Sequence, residues 1–212
     1  MEKFKDEKFK YNFILRILEE FDRTKNGLEL EDYSVAVISY NFAVESYKKE
    51  MGSQIAYLRA VIKLELLKHY REKGYYFRFS NGNILLDEDF IGEEEKLEYY
   101  NKIYIDIDRL DKELKSHNIS YKKIRNYTPK KEEIKNYLLN VAIIFSRENF
   151  LLEYIKREGK IPYKRLRLYG EFKEDLIEKY NKYVVVLTTL FSNSDLIYLI
   201  SYIGIRVGEN NG

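Results

Sequence analysis

The chain has 212 residues, 45% of them hydrophobic, so it holds enough apolar material for a compact core and is not expected to be disordered. Its 37 Lys and Arg residues nearly balance 35 Asp and Glu residues, and a net charge of +2 alone does not indicate a nucleic-acid partner. The lack of cysteine excludes disulfides and thiolate metal sites, and two histidines are too few for a typical zinc site. Any metal would therefore bind oxygen ligands, which favours magnesium or manganese.

The N-terminus is charged and leads into no apolar signal segment. The longest apolar stretches, such as 184–187 and 196–200, are far shorter than a bilayer span. We therefore expect no membrane segment and a cytoplasmic location, which for a viral protein would be the interior of the host cell.

The first quarter of the chain has helical periodicity. Apolar residues at 4–22 recur every three to five positions, a second helical pattern covers 30–50, and Ser53 is placed to cap a third helix over 54–73. We predict a helical extension over 1–51 and a core domain over 52–212.

The pattern changes after Gly74, where aromatic and β-branched residues predict a sheet. Asn81-Gly82 is a hairpin signal between the first strand and the second. The predicted elements are a strand at 75–79, a return strand at 84–86, an acidic loop at 93–98 and a third strand at 102–108.

The second half alternates between predicted helices and strands. Thr128-Pro129 is typical of a helix start, and Gly159 is suited to ending the long helix that follows. The predictions are helices over 109–125, 130–158, 171–182 and 194–203, with strands over 164–169, 183–189 and 205–207. The run at 183–189 is the strongest buried-strand pattern in the chain.

Three carboxylates fall on the predicted sheet. Asp89 follows the second strand, and Asp106 and Asp108 lie on the third. Side chains at i and i+2 of a strand share a face, so Asp106 and Asp108 would bind one cation together, with Asp89 as a further ligand. The alternative is that these residues only end their strands and face water.

This order of elements resembles the α-β-β-β core of PD-(D/E)XK nucleases, with the archaeal Holliday-junction resolvases as the most similar subgroup. In that comparison Asp89 takes the position of the first motif acid and Asp106 that of the second. The composition, rich in Lys, Glu, Ile and Tyr, is also similar to that of proteins from spindle-shaped archaeal viruses, the fuselloviruses. The resemblance implies a mixed, helix-rich α/β protein with a restriction-endonuclease-like α-β-β-β-α-β core and a helical insertion around 109–158.

Glu171-Phe172-Lys173 is a second candidate for the same role, because it is a literal Glu-x-Lys before a helix and a buried run. The resemblance would make Glu171 a metal ligand and Lys173 the group that orients the attacking water. The alternative is that Glu171 lies in the first turn of an exposed helix, where the helix dipole favours a carboxylate.

Basic residues interleaved with tyrosines cluster at 112–131 and 156–173, a pattern suited to contact with a phosphate backbone. Solvated charged faces are the alternative for both clusters. The residues that we select as DNA contacts are Lys122, Lys123, Arg125, Lys164, Arg165 and Arg167.

Two functions follow. The first is a DNA endonuclease that uses Mg²⁺ or Mn²⁺ to activate water, with branched DNA as one substrate, and with Asp89, Asp106, Glu171 and Lys173 as catalytic residues. The second is a non-catalytic viral or plasmid module that binds nucleic acid or protein. The helices have more apolar surface than a small sheet covers, so a homodimer is expected.

Overall fold

A computed structural model of the protein describes residues 3–24, 28–80, 92–163, 166 and 170–208. Its backbone contacts divide the chain into two compact units. Met1–Ile105 together with Ile197–Gly212 form one, here called the terminal unit, and Asp106–Leu196 form the other, the central unit. The division differs from the predicted boundary at residue 51, which falls inside the terminal unit.

The described residues are mostly helical, with a sheet of only two strands among them. The helices are α1 (Glu7–Glu20), α2 (Leu30–Ser46), α3 (Gln54–Glu72), α4 (Glu93–Lys115), α5 (Ile124–Tyr127), α6 (Glu132–Phe145), α7 (Asn149–Glu158), α8 (Glu174–Lys179), α9 (Asn181–Ser192) and α10 (Ile197–Tyr202). The strands are β1 (Tyr76–Phe79) and β2 (Ile205–Gly208). The chain is thus helix-rich as expected, but the described residues do not form a restriction-endonuclease-like core.

The first three predicted helices are confirmed as α1, α2 and α3. The Asp6 carboxylate caps α1 by accepting from the Phe9 amide at 2.6 Å, and the Ser53 hydroxyl caps α3 by accepting from the Ala56 amide at 3.4 Å. α3 is the central helix of the terminal unit, since it packs against α1, α2 and α10 and buries most of its residues. α2 packs on α3 across the predicted boundary at residue 51.

The strand predicted at 75–79 is confirmed as β1, but its partner is the C-terminal strand. β1 pairs antiparallel with β2, so that Tyr76 is opposite Gly208 and Phe79 is opposite Ile205. The predicted hairpin turn and return strand, with Asp89 after them, lie outside the described residues. The sequence indicated both strands and gave no sign that they pair across the length of the chain.

The strand predicted at 102–108 and the acidic loop before it are wrong, because both belong to α4. The buried residues Tyr99, Ile103, Leu110 and Leu114 are spaced by four, seven and four positions, which is a helical repeat. The short β-branched alternation at 103–107 is part of this longer helical pattern.

In its described part the central unit contains helices and connecting segments and no strand. The helix predicted over 130–158 is two helices, α6 and α7, separated at residues 146–148. The Ser146 hydroxyl donates to the Ile143 carbonyl at 2.8 Å, at the end of α6. Gly159 ends α7 as predicted, with φ of 63° in the left-handed region.

The buried strand predicted at 183–189 is wrong, because these residues form α9. Tyr183 through Leu190 are all buried, and α5, α6, α7 and α8 all pack against α9. A helix that is covered on every side has no polar face, so its sequence shows no helical period and resembles a buried strand.

No helix among the described residues combines the length and the apolar character that a bilayer span requires.

Candidate nucleic-acid interface

The predicted pair of metal-binding aspartates is not formed. Asp106 and Asp108 lie on α4. Residues two apart on an α-helix are related by a rotation of about 200° around its axis, so they lie on nearly opposite sides. The Asp106 carboxylate is buried and lies 3.6 Å from the Arg109 guanidinium. The exposed Asp108 carboxylate instead pairs with the Lys112 ammonium at 2.7 Å. The two residues therefore lack the shared face on which the metal prediction depended.

Glu171 and Lys173 are exposed residues that precede α8. The backbone amide of Lys173 donates to the Tyr137 hydroxyl at 2.7 Å, and its ammonium lies 5.3 Å from the centre of the Tyr137 ring. Lys173 is therefore an exposed residue whose ammonium is held beside an aromatic ring.

Within the stretches that the structure describes, no group of three or more Asp, Glu or His side chains could hold a metal ion. Asp89 lies outside those stretches. Binding of Mg²⁺ or Mn²⁺ stays a prediction from the sequence.

Three of the predicted DNA contacts, Lys122, Lys123 and Arg125, are exposed in the turn before α5 and in α5 itself. The segment is anchored by Asp111, whose carboxylate accepts from the Tyr121 amide at 2.9 Å and pairs with Lys115 at 2.7 Å. The other three predicted contacts, Lys164, Arg165 and Arg167, lie outside the described residues.

A further lysine, which the sequence analysis did not select, extends this basic segment. The Lys182 ammonium at the start of α9 lies 4.9 Å from the centre of the Tyr127 ring on α5. α5 packs against α9, so Lys182 lies on the same side of the unit as Tyr127. We use the name basic face for the neighbouring residues of segment 122–127 and the start of α9, without implying that they share one side of a helix: Lys122, Lys123, Arg125, Tyr127 and Lys182.

Charge is divided unevenly between the two units. Residues 106–196 contain 19 Lys and Arg against 14 Asp and Glu, whereas the rest of the chain contains 18 against 21. The near-zero net charge of the whole chain therefore hides a basic central unit and an acidic terminal unit. This distribution favours contact between nucleic acid and the central unit.

The terminal unit buries a group of charged side chains on α3. The Arg59 and Lys63 side chains both pair with the Glu20 carboxylate, at 2.7 and 2.8 Å, and both also donate to the Ser201 carbonyl. Burial alone would raise the pKa of Glu20, but the neighbouring Arg59 and Lys63 charges hold that pKa below its ordinary value. The group joins α1, α3 and α10 inside the unit.

α2 is apolar on two opposite sides. Ala36, Tyr40 and Ala43 are buried in the terminal unit, while Ile38 is 68% exposed and Phe42 is 60% exposed. Because Ile38 and Phe42 are four residues apart on a helix, they lie on one face. We call these two residues the α2 face; an exposed apolar face of this kind is typical of a protein-binding surface.

The comparisons with known proteins point away from a nuclease. No family model matches the chain, and no solved structure matches it. The curated relatives are consistently named RNA polymerase sigma factors. SigI6 of Acetivibrio thermocellus is 27% identical over 93% of this chain and 81% of its own length.

Relatives from another genus carry the same name. SigI of Bacillus subtilis is 22% identical and SigI of Bacillus anthracis is 21% identical, each over 82% of this chain and 74% of the relative. These alignments span most of the chain and therefore reach both units.

These relatives overturn the nuclease interpretation. The predicted membership in the PD-(D/E)XK superfamily, the archaeal-virus nuclease likeness and the endonuclease activity are wrong, because the similarity over most of the chain is to proteins named RNA polymerase sigma factors. The catalytic roles given to Asp89, Asp106, Glu171 and Lys173 depended on that resemblance and are withdrawn with it.

Proposed function

We propose that the protein is an RNA polymerase sigma factor, a DNA-binding factor of transcription initiation. The observation that carries the proposal is the similarity to SigI6 over 93% of this chain and 81% of that relative. An alignment of that length includes the acidic terminal unit and the basic central unit together. The proposal belongs to the class of non-catalytic binding proteins, the second of the two functions weighed from the sequence.

The DNA partner is assigned to the basic face of the central unit. Lys122, Lys123 and Arg125 are exposed, and the Lys182 ammonium is held over the Tyr127 ring. Exposed cations beside aromatic rings neutralise phosphates and offer a stacking surface. In this assignment the basic face contacts the DNA backbone and contributes affinity rather than base readout.

The polymerase partner is assigned to the α2 face of the terminal unit. This unit is acidic, so it is the less suitable of the two for a phosphate backbone. Ile38 and Phe42 are nevertheless exposed apolar side chains, and burying such a pair against a partner stabilises a complex. We thus propose that polymerase, and not a second copy of the chain, covers the apolar surface from which a homodimer was predicted. Neither the structure nor the relatives support the dimer.

The test is promoter-dependent transcription by core RNA polymerase from the source cell, with and without the purified chain. The expected result is specific transcripts only when the chain is added, on a set of genomic fragments that includes the region upstream of its own gene. Co-elution of the chain with the core enzyme in size-exclusion chromatography measures the polymerase contact separately. If the chain neither co-elutes with core enzyme nor changes the transcripts, the proposed function is wrong.

Variants of the α2 face make this test specific. Phe42→Ser combined with Ile38→Ser is expected to weaken binding to core enzyme at least about tenfold, the range of a small binding hot spot. Folding should be unaffected, because both side chains are exposed. Leu97→Ser combined with Tyr104→Ser, which removes two exposed apolar side chains from α4 of the same unit, is the matched control and should bind normally.

A further inference from the structure

The C-terminal segment 197–208, here called the clasp, is built into the terminal unit although it follows the whole central unit in sequence. It consists of α10, which packs against α3, and β2, which pairs with β1. Its residues Ser201 and Ile205 are fully buried. The terminal unit is therefore completed by the last part of the described chain.

The clasp supplies a polar anchor for two buried cations of α3. The Ser201 carbonyl accepts from the Arg59 guanidinium at 3.0 Å and from the Lys63 ammonium at 2.8 Å. The Ser201 hydroxyl also forms a hydrogen bond of 2.9 Å with the Tyr99 hydroxyl. A buried cation that loses such a partner is destabilised, so α3 depends on the presence of α10.

Further bonds attach the clasp at points spread along the terminal unit. The Tyr198 hydroxyl donates to the Met51 carbonyl at 2.6 Å, just before α3. The Gly204 carbonyl accepts from the Ser80 amide at 2.8 Å, just after β1. The Val207 amide donates to the Phe21 carbonyl at 3.2 Å, at the end of α1. The clasp thus contacts residues that flank α1, α3 and β1.

We propose that the clasp is a conformational device that holds the terminal unit in its binding-competent form. When the clasp is docked, Arg59 and Lys63 have the Ser201 carbonyl as a partner in addition to Glu20, and α3 supports α2. When the clasp is released, both cations lose that partner, α3 opens locally and α2 loses its support. The link between α2 and polymerase binding rests on the proposed function. A consequence is that the terminal unit reaches this form only after the chain has been made through residue 208, so a shortened or unfinished chain does not compete for the partner.

The experiment is hydrogen exchange of the full chain, read by segment, for the wild type and two clasp variants. Ile205→Asp places a charge in a buried position of β2, and Tyr198→Phe removes only the hydroxyl that bonds to Met51. Arg206→Lys is the matched control, because it changes an exposed residue of β2 and keeps the positive charge that pairs with Asp22. Core-polymerase binding is measured on the same proteins.

The expected result is selective. In Ile205→Asp the amides of α3 and β1 exchange at least about tenfold faster, those of α6 and α9 keep their protection, and polymerase binding falls. Tyr198→Phe gives a smaller change in the same segments, and Arg206→Lys gives none. Unchanged protection of α3, or an equal loss in α6 and α9, overturns the proposal.

The exchange measurement needs no polymerase, so the two proposals fail separately. Selective opening of α3 in a chain that never binds core enzyme supports the clasp and contradicts the proposed function. If Ile205→Asp accelerates the amide exchange of α3 and polymerase binding stays normal, the proposal for the clasp is overturned and the proposed function still holds.

Discussion

The terminal and central units bury different kinds of side chain. The terminal unit places Arg59 and Lys63 inside its core and matches them with Glu20 and the Ser201 carbonyl. The central unit buries mainly apolar side chains, and its described buried polar residues are Asp106 at its first position and Ser146, Thr188 and Thr189. The terminal unit therefore depends on a few polar contacts between parts of the chain that are distant in sequence, whereas the central unit depends on apolar packing.

The surfaces of the two units show the reverse contrast to their interiors. The central unit, with an apolar interior, carries the net positive charge and the basic face, while the acidic terminal unit exposes the apolar pair on α2. Charged surface suits a polyanion, and apolar surface suits a protein partner. The proposed function requires a surface for DNA and a surface for polymerase, and the proposal assigns one to each unit.

The largest effect is expected at Arg59, in the buried ionic group of the terminal unit. Arg59→Met should lower the free energy of unfolding of this unit by about 3–5 kcal/mol, because it removes one partner of a buried pair. The measurement is urea unfolding followed by segment-resolved hydrogen exchange. Arg16→Met is the control, since Arg16 is half exposed and its contact with Glu19 is a surface pair.

If Arg59→Met destabilised the unit no more than Arg16→Met, the buried ionic group would not contribute to the stability of the terminal unit. The contrast between the two interiors would then be wrong. Equal destabilisation of α6 and α9 would also contradict it, because Glu20, Tyr99 and Ser201, which bond to Arg59, all lie in the terminal unit.

The next effect is a cavity in the central unit. Leu138 on α6 is fully buried, and Leu138→Ala should cost about 2–4 kcal/mol because apolar packing is removed and a volume is left unfilled. The exchange of α9 amides should accelerate while that of α3 does not. Glu153→Ala, an exposed change on α7, should leave both units unchanged. If Leu138→Ala destabilised the central unit no more than Glu153→Ala, the packing of α6 on α9 described here would be wrong.

A third effect concerns DNA binding. Changing Lys122, Lys123 and Arg125 together to Gln should reduce the slope of log affinity against log salt by about 0.9 for each phosphate that these side chains no longer neutralise. The measurement is fluorescence anisotropy with duplex DNA over a salt series.

The control triple, Lys8, Lys48 and Lys49 to Gln, removes the same charge from exposed positions of the terminal unit. Its salt slope should equal that of the wild type. Equal slopes in both triples would mean that the chain's overall charge, and not the basic face, controls DNA affinity.

The features that could be predicted from the sequence were those with a local cause. α1, α2 and α3 have helical apolar spacing, α3 has a recognisable cap at Ser53, and Gly159 ends α7 in the left-handed conformation that glycine favours. β1 and β2 were also predicted individually from their aromatic and β-branched residues. Their pairing could not be predicted, because no local signal connects residue 77 with residue 207.

The errors have physical causes too. α9 is covered on all sides, so its sequence lacks the polar positions that reveal a helix, and the alternation at 103–107 is a short sample of the longer helical repeat in α4. The wrong assignment of α4 then placed Asp106 and Asp108 on one face and produced the metal site. Of the functional features, exposed basic residues before α5 were visible in the sequence, but the α2 face was visible only as excess apolar surface.

The smallest effect is the acid dependence of the terminal unit, which follows from Glu20. Arg59 and Lys63 hold its folded-state pKa below the ordinary 4.5, against the effect of burial. The folded form therefore binds this proton less readily than the unfolded form, and the resulting stability is present above pH 4.5 and disappears as the pH falls through the folded pKa. Unfolding of the terminal unit between about pH 6 and 3 should be less steeply pH-dependent in Glu20→Gln than in the wild type, with the central unit serving as the internal reference. Identical pH dependence in the two proteins would show that the pKa of Glu20 is the same in the folded and the unfolded chain, so that Arg59 and Lys63 do not stabilise its charged form.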